Sequence, residues 1–313
     1  MSEQRRRLII DCDPGHDDAI AIMMAARHPK LELLGITTAR GNQTIEKITK
    51  NALDVCQVLD IHVPVCMGMT RPLMAEPRLV EARIHGETGL DGPKFAPLTR
   101  KVDARHAVDF IIESCLTSDQ PITLCPTGPM TNIAMAIRKE PRILDKIEAI
   151  VFMGGSYQHG NVTPAAEFNI IADAEAAAIV FTCGRPVVMM GLDITRQVLC
   201  YPSIIERMAK IDNKASHLFC DLMTFFNKTQ KAVFGWDGGP LHDPTTIAYL
   251  IDPSLITTKL MFAEVDITHG QSYGRTNCDI FGLSDAQKNV HVAMKIDVEG
   301  FWNTVETCIR LYS

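Results

Sequence analysis

Four aspartates fall within eight residues near the start of the chain, in Asp11-Cys12-Asp13-Pro14-Gly15-His16-Asp17-Asp18, directly after the apolar run Leu8-Ile9-Ile10. A strand that ends in so many carboxylates is unstable unless something positive neutralises them. Carboxylate oxygens suit a hard cation such as Mg²⁺ or Ca²⁺, and no thiol cluster lies nearby to favour zinc. Pro14 and Gly15 turn the chain, and Asp17 and Asp18 then open an amphipathic stretch over 19–28, where acidic residues also suit a helix N-terminus. The segment reads as strand, acidic turn and helix, with its charge at the C-terminal end of the strand. In open α/β sheets ligands bind at that edge.

The rest of the chain repeats the alternation. Short apolar runs at 7–11, 32–38, 63–67, 121–126, 148–153 and 186–192 predict strands. Longer amphipathic stretches at 17–28, 43–59, 104–117, 130–138, 173–183, 203–210, 215–230, 244–250 and 299–312 predict helices. The strand segments are unbroken apolar runs, as in sheets covered on both faces. The fold class expected is α/β, a single domain over 1–313 with a mostly parallel, Rossmann-like open central sheet and helices on both faces. Alternation in Phe262–Ile267, followed after a turn by Val290–Met294, adds an expected late antiparallel pair. Residues 68–100 loosen into a Pro- and Gly-rich loop, and long loops in compact domains are often functional.

Composition excludes several classes. A net charge of −6 leaves no electrostatic footprint for nucleic acid or anionic membrane. No segment approaches the ~20 apolar residues of a membrane span. Arg5-Arg6-Arg7 is followed by a strand and aspartates rather than by a signal-peptide core, so a solvated terminus is expected. The ten cysteines include no Cys-x-x-Cys pair and several lie in apolar runs, so reduced, buried thiols and a cytoplasmic location are expected.

Three further segments carry polar groups that could face the acidic turn. Thr127-Gly128-Pro129-Met130-Thr131-Asn132 joins a strand to a helix; a cap by Thr131 or Asn132 explains it, and so does a backbone carbonyl aimed at a ligand. Met153-Gly154-Gly155 leads through Asn161 to Glu167-Phe168-Asn169, where a carboxylate and two amides together match the hydroxyls of a polyol. In His242-Asp243-Pro244, Asp243 as N-cap with Pro244 at the first helical position is a complete structural explanation. A functional one turns Asp243 toward the acidic turn and leaves His242 for proton work. His85, in the Gly-rich loop, has a similar claim. The histidines at 28, 62, 106, 217, 269 and 291 carry no motif and are read as structural.

The acidic turn, Gly41-Asn42-Gln43-Thr44, Ile84-His85-Gly86-Glu87-Thr88-Gly89, Pro126-Thr127-Gly128-Pro129, Ala166-Glu167-Phe168-Asn169 and His242-Asp243-Pro244 together resemble, in this order, the nucleoside hydrolases. Within that family the chain is most similar to the inosine-uridine/pyrimidine group, over residues 7–312. The resemblance implies Ca²⁺-dependent hydrolysis of the N-glycosidic bond of ribonucleosides to ribose and free base, with uridine and cytidine preferred. It implies Ca²⁺ held by Asp13, Asp18, Asp243 and the carbonyl of Thr127, with Asp13 also the general base that activates water. It implies ribose hydroxyls held by Asp17, Asn42, Asn161, Glu167 and Asn169, and His85 and His242 on the base side, with His242 assisting departure of the base. Residues 229–236 are expected to line the base side, through Gln230 and through Phe234, which stands where pyrimidine-specific relatives carry Tyr. A phenyl ring keeps the stacking surface and lacks the hydroxyl. Asp11 is expected to orient its neighbours. The family also implies a homo-oligomer, dimer or tetramer.

Three other readings compete with this resemblance on the sequence: a broad inosine/uridine hydrolase, a non-catalytic ribose- or nucleoside-binding protein, and a haloacid dehalogenase-type phosphatase. Retention of Asp13 speaks against the binder. Pro14-Gly15 and the Asp17-Asp18 pair depart from the phosphatase pattern.

Overall fold

The computed structural model describes residues 5–77 and 82–312. Eight strands form one sheet: β1 Arg6–Cys12, β2 Leu31–Thr38, β3 Val65–Met67, β4 Ile122–Pro126, β5 Ile147–Met153, β6 Val187–Met190, β7 Ile256–Met261 and β8 Val290–Ile296. They lie in the order β3-β2-β1-β4-β5-β6-β8-β7. Every neighbouring pair is parallel except β8 with β7, which is antiparallel. All six strands expected from apolar runs are present, within two residues at most ends.

The late pair differs from expectation. Val290–Ile296 enters the main sheet parallel to β6 and takes 256–261 as its antiparallel partner, while Ala263–Val265 pairs with Thr276–Cys278 in a small separate sheet. The reason is exposure. β7 is an edge strand whose Thr257, Lys259 and Leu260 face solvent, so it carries no apolar run to announce it.

Among the described residues, ten α-helices of five residues or more accompany the sheet: α1 His16–Arg27, α2 Ile45–Val58, α3 Ala107–Thr117, α4 Thr131–Lys139, α5 Phe168–Ala172, α6 Ala174–Phe181, α7 Pro202–Ala209, α8 Lys214–Phe234, α9 Pro244–Ile251 and α10 Val298–Arg310. All but α5 were expected. α8 runs past the expected 230 until Gly235, at φ 75°, closes it in the left-handed conformation with its N–H on the Lys231 carbonyl.

Two apolar layers sandwich the sheet. Along β1, Leu8, Ile10 and Cys12 point into the layer shared with α1, α2, α8, α9 and α10. Ile9 points into the opposite layer, with α3, α4 and α6. This is the two-residue period of a strand buried on both faces. Each such side chain contributes about 1.5–3 kcal/mol on burial, and a core of this extent can carry the cost of the polar cluster at its edge. No helix among the described residues is long and apolar enough to cross a membrane. None of the ten cysteines is disulfide-bonded.

Candidate active site

The parallel strands deliver their C-terminal ends to one edge, and the acidic turn sits there. Asp11, Asp13, Asp17, Asp18 and, from the start of α9, Asp243 are at most 6% exposed. Asp11 Oδ1 accepts from Thr37 Oγ1 (2.6 Å) and Asn132 Nδ2 (2.8 Å), while its Oδ2 has no partner among the described residues. Asp13 Oδ2 accepts from the Asn42 backbone N–H (2.7 Å), and the Asn42 amide donates to the Asp13 carbonyl (3.1 Å). Asp18 accepts from Gly15 N (2.9 Å) and Thr127 Oγ1 (2.8 Å).

Two glycines make room for Asp13. A Cβ on Gly41 would lie 2.0 Å from Asp13 Oδ2, and one on Gly128 2.5 Å from Asp13 Oδ1. Only hydrogen fits at either position.

The structure resolves the two capping expectations against caps. Asp243 occupies the N-cap of α9 but its carboxylate makes no cap hydrogen bond. It turns instead to the acidic turn, where oxygens of Asp17, Asp18 and Asp243 lie within 4.8 Å of one another. At α4 the N-cap is Met130, with no side-chain cap. Thr131 donates to Asp173 (2.6 Å), and Asn132 bridges Asp11 and the Thr38 carbonyl (3.0 Å). Asp17, expected on the sugar side, thus belongs to the tightest trio of oxygens, and Asp13 stands beside it.

Burial and mutual repulsion raise the affinity of these groups for protons. Burial first, then the charge of Asp18, pushes Asp17 up to about 7. Burial followed by neighbouring carboxylates holds Asp13 and Asp243 well above the ordinary range, and burial raises Asp11 to about 6. Buried carboxylates in this arrangement are an unsatisfied anionic site, and an oxygen-loving cation fits the donor set. Thr127 adds a carbonyl that accepts one hydrogen bond, from Asn169 Nδ2 (2.7 Å), and keeps a second lone pair.

Above this floor is a cavity of about 760 Å³, within the range of small-molecule sites. Asp13, Asp17, Asn42, His85, Thr127, Asn161, Glu167, Asn169, Gln230, Phe234, His242 and Asp243 all line it. Of the residues expected in the site only Asp18 lies beneath the lining. Glu167 is the N-cap of α5, accepting from Asn169 N (2.9 Å), Ile170 N (3.1 Å) and Gly155 N (2.9 Å); burial still raises it to about 7. The Asn169 amide nitrogen is committed to Thr127 and to Met153 (3.1 Å), which leaves its oxygen for the cavity. Asn161 is exposed and accepts from Phe168 N (2.9 Å).

The opposite wall is aromatic and basic in type. His85 Nδ1 lies 3.0 Å from His16 Nδ1, and His16 Nε2 donates to the Asp91 carbonyl (2.8 Å). The two imidazoles stack on each other and on Phe226. Burial lowers His16 to about 4 and holds His85 well below the ordinary imidazole value. His242 Nδ1 meets Thr195 Oγ1 at 2.6 Å, and burial followed by the charge of Arg196 lowers this imidazole to about 3. Gln230 is buried with its amide oxygen unpartnered among the described residues. Phe234 is half exposed and stacks on Trp236 at 4.9 Å between centroids.

Several lining residues carried no signal in the sequence. Arg196 sits in no motif, and Met153 heads a segment that is read only for its later amides and carboxylate. Phe226 falls in a Met- and Phe-rich helix that reads as core, and it serves both core and cavity. His16 lies inside the acidic motif, where the sequence gives it no role apart from the aspartates.

The family model for inosine-uridine preferring nucleoside hydrolases matches residues 8–303. The pyrimidine-specific ribonucleoside hydrolase RihB of Escherichia coli is 54% identical over 309 residues, 99% of this chain and 98% of the relative. Among solved structures, a purine-preferring ribonucleoside hydrolase from Gardnerella vaginalis superposes with a TM-score of 0.92 at 38% identity, covering 98% of this chain and 99% of that one. A plant nucleoside hydrolase gives 0.90 at 31%, covering 97% and 99%. The chain belongs to this family of enzymes, the nucleoside hydrolases. The fold and activity class expected from the motifs stand.

Proposed function

We propose that this enzyme, acting as one domain over its whole length, hydrolyses the N-glycosidic bond of pyrimidine ribonucleosides in a calcium-dependent reaction. The observation that carries the reading is the convergence of Asp13, Asp17, Asp18 and Asp243 beneath a cavity whose far wall holds His85, Gln230, Phe234 and His242. Asp13, Asp18, Asp243 and the Thr127 carbonyl are the ligands for Ca²⁺, and the geometry adds Asp17 as a candidate. A cation there supplies charge neutralisation and makes an adjacent water more acidic.

The remaining chemistry is assigned to side chains. Asp13 takes the proton of the attacking water. Asp17, Asn42, Asn161, Glu167 and Asn169 hold the ribose hydroxyls, as acceptors and amides suited to polyols. As the bond to the base lengthens, the sugar gains oxocarbenium character, which the carboxylates stabilise electrostatically. General-base help is worth ~10² to 10⁴ in rate, so charge stabilisation and leaving-group activation supply the larger share. His242 assists departure of the base, and Gln230, His85 and the face of Phe234 contact it.

Pyrimidine preference is supported by the relative at 54% identity, named for that specificity; Gln230 lines the cavity in which the base would sit. A broader inosine/uridine specificity is the second reading, favoured by the purine-preferring structure at 38% identity. Ten free cysteines fit a reducing, cytoplasmic setting, and assembly as a homodimer or homotetramer is part of the same proposal, to be read by light scattering. The test of the reaction is a panel of uridine, cytidine and inosine, assayed for reducing sugar with and without phosphate. Uridine and cytidine should yield ribose and free base irrespective of phosphate. Ribose 1-phosphate formed only with phosphate present would overturn hydrolysis, and a higher kcat/KM for inosine would overturn the pyrimidine preference.

A further inference from the structure

Resting on the hydrolase reading above, we propose that Thr195 is a positioning residue for His242, fixing the ring so that its Nε2–H faces the leaving base. Thr195 ends the short turn Leu192–Thr195 that follows β6, and it is fully buried. Its hydroxyl lies 2.6 Å from His242 Nδ1 and has no other partner among the described residues. A buried hydroxyl hydrogen needs an acceptor. With Nδ1 the one at hand, the hydroxyl donates and Nδ1 accepts, so the neutral ring carries its hydrogen on Nε2. Nε2 has no protein partner among the described residues, and His242 lines the cavity. The ring edge that faces substrate is therefore a donor.

The turn is itself anchored to the sugar side of the site. Leu192 N donates to the Gly155 carbonyl (2.9 Å), and Gly155 N donates to Glu167 Oε2 (2.9 Å). Asp193 accepts from Ser156 Oγ (3.1 Å) and Tyr157 N (2.8 Å). Gly191 fits closely: a Cβ there would lie 3.1 Å from the Gly155 carbonyl. One rigid turn thus sets His242 relative to the loop that carries Glu167. Orientation of a hydrogen-bond donor by a buried partner is worth far more than the single hydrogen bond suggests, because misplacement is amplified in the transition state.

The test compares Thr195→Val, which keeps shape and loses the hydroxyl, with Thr195→Ser, which keeps it. Each is assayed on uridine and on p-nitrophenyl β-D-riboside, whose leaving group departs as a stable anion and needs little help from a hydrogen-bond donor. The valine variant should lose about ten- to hundredfold in kcat on uridine, up to the scale of losing one hydrogen-bond donor aimed at developing negative charge, with KM little changed. Its loss on the p-nitrophenyl riboside should be several-fold smaller, and the serine variant should recover most of the uridine rate. If the valine variant does not fold, Thr195→Ala carries the same comparison. Wild-type turnover of uridine by the hydroxyl-free variant would overturn the proposal. So would equal losses on both substrates with no rescue by serine, the signature of a merely structural role. A wild-type enzyme that cleaves neither substrate would instead sink the hydrolase reading itself.

Discussion

Asp13 depends on absent atoms as much as on present ones. Its two oxygens sit against Gly41 and Gly128, where any side chain would overlap them, and the Asn42 backbone N–H fixes one of them. Gly128→Ala should therefore push the carboxylate out of place. The expected outcome is a fall in kcat on uridine of at least about tenfold with little change in thermal stability, since a ~1 Å misplacement far outweighs a small packing cost in its effect on rate. Asp13→Asn should lower kcat by ~10² to 10⁴, the range of general-base catalysis, while the chelated protein melts no lower, because a buried repelling charge has gone. A wild-type rate in steady-state assays of Asp13→Asn would refute the general-base assignment. At this scale the sequence was informative about which residues gather and silent about how they divide. Charge density marked the aspartates, and His-Asp-Pro marked Asp243. That Asp17 rather than Asp13 shares the tightest trio with Asp18 and Asp243 depends on side-chain direction around a turn, which no spacing encodes.

Elements place the site by where they end. Periodicity made β1, β4, β5 and the long helices legible, because a buried strand or an amphipathic helix repeats its reason at every turn. The edge strand β7 and five-residue α5 were not legible, one being too polar and the other too short to show a period. Helix α8 shows the limit of pattern in another way. Its Met- and Phe-rich face is core along most of its length, yet Phe226, Gln230, Val233 and Phe234 carry the cavity wall. Removing the Trp236 ring that stacks on Phe234 should loosen this wall without touching the chemistry. Trp236→Ala is expected to raise KM for uridine several-fold with kcat held within about twofold, the pattern of lost uniform binding. In the core, Phe152 of β5 packs against Phe181 of α6 at 5.5 Å and is fully buried. Phe152→Ala should destabilise by about 3–5 kcal/mol, read as a lower urea midpoint at unchanged slope.

The molecule as a whole holds its acidic site together against electrostatic repulsion, which makes stability depend on pH and on calcium together. In the folded chain without a cation, Asp17 and Glu167 bind protons below about 7 and Asp11 below about 6, against ordinary values of 3.8, 4.5 and 3.8. The folded state thus holds more protons than the unfolded chain between those limits, and stability from these groups is lost as pH rises through about 7. His16 and His242, lowered to about 4 and about 3 from 6.5, act in the opposite sense and remove stability as pH falls below 6.5. Between about pH 4.5 and 6 the three carboxylates outweigh the two histidines, so chelated protein should lose stability as pH rises through about 7, and added Ca²⁺ should raise the melting temperature more at pH 8 than at pH 5.5; an equal rise at both would contradict it. In the function proposed above, the acidic turn and Asp243 form a cation-dependent site for cleaving the N-ribosidic bond. Its most direct test is uridine turnover by enzyme stripped with a chelator, its metal content verified by elemental analysis, as Ca²⁺ is returned. Ribose release should fall to a small fraction of its starting rate and recover with about one bound Ca²⁺ per chain. Metal-free enzyme that still hydrolyses uridine at the full rate would contradict it.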